Sequence, residues 1–142
     1  FWTDKKKTEK WFASFELENI THYKMTTQEF VRSDVYRDLN HVDILFVDGF
    51  HSEEQARQDH EAFLEKMNEN AIAFFHDSVT ERNSRMYGAE KIYQYGVCRY
   101  LDQLKTDARF QVFDFPFTDG LTLVRKNTGR KIFDPRKLDP QP

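Results

Sequence analysis

The sequence is poor in cysteine and glycine, and it has no long apolar run. Cys98 is the only cysteine among 142 residues, so no disulfide can form within the chain, and we expect a reducing, cytoplasmic environment. No apolar stretch approaches the roughly 20 residues that a membrane-spanning helix needs, so no membrane partner is expected. Only five glycines occur, and none of them forms a Gly-x-Gly loop.

The sequence also lacks a charge excess of either sign. Charged residues make up 32% of the chain, but the formal net charge is only -3. Because nucleic acids and anionic membranes attract strongly basic surfaces, this balance gives no reason to expect either partner. The short basic run Lys5–Lys7 is typical of a solvated face.

What the sequence does contain is enough apolar material for a core, with hydrophobic residues at 39% and Phe at 14 positions. Apolar runs of strand type alternate with amphipathic runs of helix type, which predicts an α/β layered fold. Helices are predicted at residues 8–17, 26–39, 52–67 and within 89–105, where Gly96 is a candidate start of a separate helix. Strands are predicted at residues 20–25, 42–47, 71–75, 110–117 and 121–125, the last two as an antiparallel hairpin.

Polar side chains follow two successive strands at the points where each strand ends. Asp48 and His51 come after residues 42–47, and His76 and Asp77 come after residues 71–75. The apolar continuity of these strands indicates a parallel pair, whose carboxyl ends meet at one edge of the sheet. Since ligands of open α/β sheets bind beyond that edge, the sequence predicts a site there.

The residue types at this edge indicate two kinds of chemistry. Asp48 and Asp77 form a carboxylate pair that suits Mg²⁺, although His76 beside them is not a typical ligand of that ion, so both a metal site and a metal-free site stay open. His51 is the candidate general base, because an imidazole titrates near the pH at which proton transfer must occur. The structural alternatives are a helix-cap carboxylate for Asp48 and a backbone-bonded first-turn histidine for His51. His60 falls on an apolar helix face and is predicted to be a core histidine.

Several short motifs occur in the order that one protein family shows. They are Asp48-Gly49-Phe50-His51, Asp59, His76-Asp77-Ser78, Gly96-Val97 with Tyr100 and Asp102, and Gly120-Leu121. Together they resemble the class I S-adenosylmethionine-dependent methyltransferases that methylate hydroxyls of small molecules and sugars. The resemblance covers residues 20–125.

This resemblance implies a Rossmann-like three-layer sandwich, with a mostly parallel sheet that ends in an antiparallel hairpin. Residues 1–126 would form a partial methyltransferase domain, and residues 127–142 an irregular tail. The first strand of the family and its glycine-rich loop are expected before Phe1. Without them residues 42–47 would be an exposed apolar edge, so we expect either an upstream domain or a second copy of the chain to complete the sheet.

The resemblance also implies ligands and roles. S-adenosylmethionine would contact Asp4, Thr26, Thr27 and Asp48, and a small-molecule or sugar hydroxyl would accept the methyl group. Asp48 and His51 would be catalytic. The implied Mg²⁺ ligands are Asp48, Asp77 and His76. Phe50, Tyr87 and Tyr95 are candidates to line the acceptor pocket.

Two other functions fit the same residues. A metal-dependent hydrolase could use Asp48, His51, His76 and Asp77 as zinc ligands, because imidazole nitrogens and carboxylate oxygens both bind Zn²⁺. A non-catalytic methyltransferase-like module is the other alternative, supported by the lack of a Gly-x-Gly loop in these residues.

Overall fold

The computed structural model of the protein describes residues 4–84 and 92–129. It divides into two compact units, Phe1–Asn40 and His41–Pro142. The helices are α1 Lys5–Ala13, α2 Thr27–Phe30, α3 Asp34–Asp38, α4 Glu53–Leu64 and α5 Val97–Thr106. The strands are β1 Val42–Val47, β2 Met67–His76, β3 Arg82–Ser84, β4 Tyr93–Tyr95, β5 Phe110–Phe115 and β6 Leu121–Lys126. In the part of the chain that is described, no helix has both the length and the apolar content to cross a bilayer.

The first unit is made of short capped helices. Thr26 and Glu29 form a capping box at the start of α2, where the sequence predicts a helix to begin. The prediction of one helix over residues 26–39 is wrong, because the Ser33 side chain accepts a hydrogen bond from the Tyr36 amide and starts the separate helix α3. The predicted strand at residues 20–25 is also wrong, since this segment pairs with no strand in the described ranges.

The second unit is built on a four-stranded sheet in the order β1-β2-β6-β5. β1 and β2 are parallel, with Val47 opposite Phe75, as the sequence predicts. β6 runs antiparallel to both β2 and β5, which confirms the terminal hairpin. The predicted α/β class, with a parallel strand pair and a terminal antiparallel hairpin, is thereby confirmed.

One face of the sheet carries the core. Its fully buried side chains come from alternate positions of the strands and from α4 and α5, and include Ala73, Phe75, Val124, Tyr100 and Leu101. Alternation follows from the period of two along a strand, which sends neighbouring side chains to opposite faces. α4 begins at its predicted cap Ser52 but ends at Leu64, and β2 begins at Met67 rather than residue 71.

The opposite face of the sheet is apolar and open. Ile44 and Phe46 of β1 are 67% and 56% exposed, and Phe113 and Phe115 of β5 are 49% and 42% exposed. β1 is also the last strand on its side of the sheet, so its outer hydrogen-bonding edge has no partner strand in the described ranges. This confirms that residues 42–47 form an apolar edge.

A second, two-stranded sheet formed by β3 and β4 was not predicted. The sequence predicts no strand near residue 82 and a helix within residues 89–105, but Arg82 pairs with Tyr95 across an antiparallel ladder. α5 starts only after Gly96, at the position where the glycine interrupts the helical pattern. The expected tail begins at Asn127, and its residues 130–142 lie outside the described residues.

His60 lies in the core, as its apolar helix face predicts. It has no exposed surface, its Nδ1 is 2.7 Å from the Tyr100 hydroxyl, and its ring packs edge-on against Phe75. Its Nε2 has no hydrogen-bond partner among the described residues. Burial, with a smaller contribution from the charge of Lys126, lowers the pKa of His60 to about 4.

We predict that this histidine makes the fold sensitive to acid. In the unfolded chain His60 takes up a proton near pH 6.5, whereas the folded state excludes the proton down to about pH 4. The free energy of unfolding should therefore decrease by about 3 kcal/mol through this group as pH falls across that window. In urea titrations at a series of pH values, the free energy of unfolding of His60→Gln should decrease less with falling pH than that of the wild type. The exposed-histidine control His41→Gln should keep the wild-type slope, and equal slopes for all three proteins would contradict the prediction.

Candidate active site

The predicted residues meet at the carboxyl ends of β1 and β2. Asp48 follows β1 directly, and His76 is the last residue of β2. His51 lies just before Ser52, whose hydroxyl accepts a hydrogen bond from the Gln55 amide and starts α4. Gly49, in the same loop, faces the Asp59 carboxylate, which lies 3.4 Å from where a Cβ would stand.

The four side chains Asp48, His51, His76 and Asp77 form what we call the strand-tip cluster. Asp48 Oδ1 lies 3.3 Å from His51 Nε2 and 3.1 Å from His76 Nδ1. Asp77 lies 3.8 Å from His51 and 3.3 Å from His76, through its two different oxygens. Two imidazoles and two carboxylates are therefore within direct interaction distance, as their positions at neighbouring strand ends predict.

The members of the cluster differ in access to solvent. The side chains of Asp48 and His76 are about half exposed, at 49% and 46%, whereas those of His51 and Asp77 are only 8% and 10% exposed. The cluster therefore opens to solvent on the side of Asp48 and His76. His51 and Asp77 form its buried floor.

Asp77 is held in an uncommon backbone conformation. Its φ of 51° lies in the left-handed region, which Asp tolerates better than most residues. Arg82 Nη2 donates to Asp77 Oδ2 at 2.7 Å, and Arg82 Nη1 pairs with Asp119 at 2.7 Å. Strained residues that the surroundings hold in place are common at functional sites, which agrees with the placement of Asp77.

The ring of His51 is fixed by packing. It stacks on Tyr95 at a centroid distance of 4.7 Å and an interplanar angle of 24°, and its carbonyl accepts a hydrogen bond from the Gly96 amide. Its Nδ1 is buried and has no hydrogen-bond partner among the described residues. Nε2 is thus the ring nitrogen that points toward the carboxylates.

The cluster includes a set of donors that could hold a cation. One ligand atom each from Asp48, His51 and His76 lie within 4.8 Å of one another. Two nitrogens and one carboxylate oxygen suit Zn²⁺ or another transition ion, whereas Mg²⁺ prefers oxygen ligands throughout. The donor set therefore fits Mg²⁺ poorly, and one oxygen of Asp77 is already bound by Arg82.

The implied cofactor residues Asp4, Thr26 and Thr27 belong to the first unit. Asp4 accepts a hydrogen bond from the Lys7 amide and so caps α1, and the Thr26 hydroxyl is bound to Glu29. Thr27 is the first residue of α2. Each has a local structural role there, and their cofactor contacts stay predictions.

Sequence reasoning missed Arg82 and Asp119, and it placed Tyr95 differently. Tyr95 is only 3% exposed and its ring stacks on that of His51, so it does not line an open pocket. Phe50, in contrast, is 47% exposed and meets the ring of Tyr93 at 5.3 Å. Tyr87 lies outside the described residues. The alternation of Tyr93 and Tyr95 was the one signal in the sequence that could have indicated β4.

The sheet and the strand-tip cluster agree with the class I methyltransferases that the sequence resembles. A sequence profile of the methyltransferase domain family matches residues 2–78, which is more than half of the chain. The chain therefore belongs to this methyltransferase domain family. A comparison with curated protein sequences finds no match.

Solved structures agree on the fold. A Staphylococcus aureus protein with a provisional assignment as a caffeoyl-CoA O-methyltransferase superposes with a TM-score of 0.62 at 14% identity, over 85% of this chain and 58% of that one. The Podospora anserina methyltransferase PaMTH1, solved with S-adenosylhomocysteine, gives 0.56 at 13% identity, over 85% and 55%. A Corynebacterium glutamicum protein gives 0.61 at 13% identity, over 85% and 55%. The chain thus spans little more than half the length of these structures.

Proposed function

We propose that the protein transfers the methyl group of S-adenosylmethionine to a hydroxyl of a small molecule or sugar. The observation that carries this proposal is the strand-tip cluster, which places His51 beside two carboxylates in a member of a methyltransferase family. S-adenosylmethionine supplies an electrophilic methyl group on a sulfonium. The chain must then bind the acceptor in line and remove its proton.

His51 is the proposed base. A hydroxyl that enters beside the exposed Asp48 would reach Nε2, the ring nitrogen that points toward Asp48 and Asp77, in the tautomer that carries its hydrogen on Nδ1. Transfer of the methyl group to the hydroxyl oxygen would break its bond to sulfur and release S-adenosylhomocysteine, while His51 Nε2 would take up the hydroxyl proton. Asp48 at 3.3 Å and Asp77 at 3.8 Å then stabilise the imidazolium by charge attraction.

Binding of the methyl donor is proposed for Asp48 at the end of β1 and for Asp4, Thr26 and Thr27 in the first unit. PaMTH1 holds S-adenosylhomocysteine in a similar fold, which supports a related ligand here. The acceptor would enter along Phe50, whose half-exposed ring offers an apolar surface next to His51. The single cysteine Cys98, whose thiol pKa is raised by burial, suits the cytoplasmic location we propose.

Calorimetric titration of S-adenosylhomocysteine tests the donor site. It is run on residues 1–142 and on the chain extended upstream of Phe1, which we call the full-length protein. We expect binding by the full-length protein and little or none by residues 1–142 alone, because the glycine-rich loop of the family is not among these residues. Absence of binding by both would overturn the methyltransferase proposal. Turnover should then be sought with labelled donor and a panel of catechol, caffeate and methyl glycosides.

The role of Mg²⁺ is tested in the same titration. Asp48, Asp77 and His76 were expected to hold it, but the donor set of the cluster suits a transition ion better. We therefore expect Mg²⁺ to change neither donor binding nor turnover by more than about twofold, a shift well below 1 kcal/mol. A large gain in turnover with Mg²⁺ would instead assign the Asp48 and Asp77 oxygens to that ion.

A metal-dependent hydrolase is the second candidate, because Asp48, His51 and His76 have the geometry of a three-ligand site. This function would require tight binding of Zn²⁺ or Mn²⁺. It would replace the first proposal only if such binding occurred while S-adenosylhomocysteine had no effect on the full-length protein.

We also propose that the sheet is completed outside residues 1–142. The outer edge of β1 has no partner strand in the described ranges, and the rings of Phe46 and Phe113 are exposed. A pairing strand and a covering layer from an upstream domain or from a second copy would bury both. Light scattering should find residues 1–142 self-associating and the full-length protein monodisperse. A monodisperse, monomeric 142-residue chain would contradict this proposal.

A further inference from the structure

We propose that Arg82 and Tyr95 are a positioning pair that sets the geometry of the strand-tip cluster. The inference rests on the proposed function, because it assigns these residues a part in methyl transfer. Neither touches the reacting atoms in this scheme. Each acts through one member of the cluster floor, Arg82 through Asp77 and Tyr95 through His51.

The two residues are cross-strand partners in the β3–β4 hairpin. Directly opposed residues of an antiparallel pair send their side chains to the same face, so this hairpin presents both to the same surroundings. The guanidinium of Arg82 also lies over the Tyr95 ring, 4.6 Å from its centroid. The two side chains therefore hold each other in place as well as their targets.

Arg82 fixes the orientation of the Asp77 carboxylate. It donates to Oδ2 at 2.7 Å, which leaves Oδ1 directed to His76 at 3.3 Å. Its other terminal nitrogen is anchored on Asp119, so the guanidinium cannot follow Asp77 if that side chain rotates. Since charge-assisted hydrogen bonds are stronger than neutral ones, and Asp77 is mostly buried, this contact restrains the carboxylate strongly.

Tyr95 fixes the plane of the His51 imidazole. Because Nδ1 of His51 has no hydrogen-bond partner among the described residues, the buried side of the ring is oriented by packing on Tyr95. The Gly96 amide, next along the chain, binds the His51 carbonyl at 2.9 Å and holds the backbone in register. The hairpin thus restrains both side chains of the His51–Asp77 pair.

A second ion pair on the same hairpin provides a matched control. Glu81, next to Arg82, accepts two hydrogen bonds from Arg99 of α5 at 2.6 and 2.7 Å, and both side chains are nearly half exposed. This pair anchors the hairpin but touches no member of the cluster in the described part of the chain. Arg99→Gln therefore reports the effect of loosening the hairpin alone.

The first readout is steady-state methyl transfer by the full-length protein with catechol as the acceptor probe. We expect Arg82→Gln and Tyr95→Leu to lower kcat on the order of 10- to 100-fold with little change in KM for S-adenosylmethionine. Arg82→Lys should restore part of the loss, and Tyr95→Phe most of it, because the aromatic ring is kept. Arg99→Gln should keep kcat, and an equal loss in Arg99→Gln would overturn the proposal in favour of a general effect of hairpin stability.

The second readout needs no turnover. In NMR spectra the His51 ring protons should lie upfield because they sit over the Tyr95 ring. Tyr95→Leu should abolish this shift and Tyr95→Phe should keep it, while Arg82→Gln should displace the His76 ring signals and Arg99→Gln should not. If the wild type methylates no acceptor but the shifts behave as expected, the proposed function fails and the positioning stands. Unchanged ring signals in both Tyr95→Leu and Arg82→Gln would overturn the positioning itself.

Discussion

Replacing His51 by glutamine is expected to lower kcat for methyl transfer by about 10²- to 10⁴-fold, the usual contribution of a positioned general base. Glutamine can still hydrogen-bond to Asp48 but cannot take up the acceptor proton. The donor should bind nearly as before, because the proposed loss is one of deprotonation. The expected signature in steady-state assays of the full-length protein is thus a large fall in kcat with KM for S-adenosylmethionine nearly unchanged.

Two further histidines make the experiment decisive. His76 is within 3.1 Å of Asp48 and is far more exposed than His51, so it is the competing base. We expect His76→Gln to lose less activity than His51→Gln, and the distant, exposed His41→Gln to lose none. If His76→Gln were the inactive variant and His51→Gln retained turnover, the base would be His76, and His51 would be a structural member of the floor.

The cluster could be predicted from sequence because its members lie at strand ends. The run from Val42 to Val47 has enough apolar continuity to predict a parallel strand, and the next apolar run predicts its neighbour, although one face of β1 is exposed in the structure. Once two parallel strands are adjacent, their carboxyl ends meet, and Asp48 and His76 must lie close together. No long-range information was needed beyond the pairing of consecutive strands.

The positioning residues could not be predicted in the same way. Arg82 lies on a three-residue strand without apolar alternation, and the single alternation of Tyr93 and Tyr95 on β4 is too short to define a strand. The strand predicted at residues 20–25 was wrong for a different reason. Its composition favours a strand, but it has no partner strand to pair with in the described ranges. Local sequence preference therefore predicted the helices and strands that bury an apolar face in the core. It missed the short strands that are defined only by pairing with a neighbouring strand.

The helix expected over residues 26–39 shows a third limit. Its capping box at Thr26 was correct, but Ser33 binds the Tyr36 amide and starts a new helix inside the same polar pattern. Serine is favoured at helix N-caps but is also tolerated in helix interiors, so its presence alone does not fix where a helix starts. Its role is decided by packing that a single sequence does not display.

A single methyl group at Gly120 is expected to destabilise the fold by about 2 to 6 kcal/mol, the sum of left-handed strain and overpacking. Gly120 has a φ of 91°, and a Cβ there would lie 2.2 Å from Val79 Cγ2 and 2.5 Å from Val79 Cβ. Val79 cannot retreat easily, because its amide donates to the Asp119 carbonyl at 3.2 Å. Urea unfolding of Gly120→Ala should show the loss as a lower midpoint with a similar slope.

Gly129 separates the two causes of that loss. It also has a positive φ, 67°, but no atom of the described residues lies within 4 Å of the position its Cβ would take. Gly129→Ala should therefore show strain without a clash and cost no more than about 1 to 2 kcal/mol. Equal losses in the two variants would mean that Val79 moves aside freely. If Val79 does not move, the backbone around Gly120 must shift in Gly120→Ala, and Asp119, which pairs with Arg82, should shift with it. The contact between Arg82 and Asp77 should then weaken, and turnover should fall by more than the unfolded fraction of the variant explains.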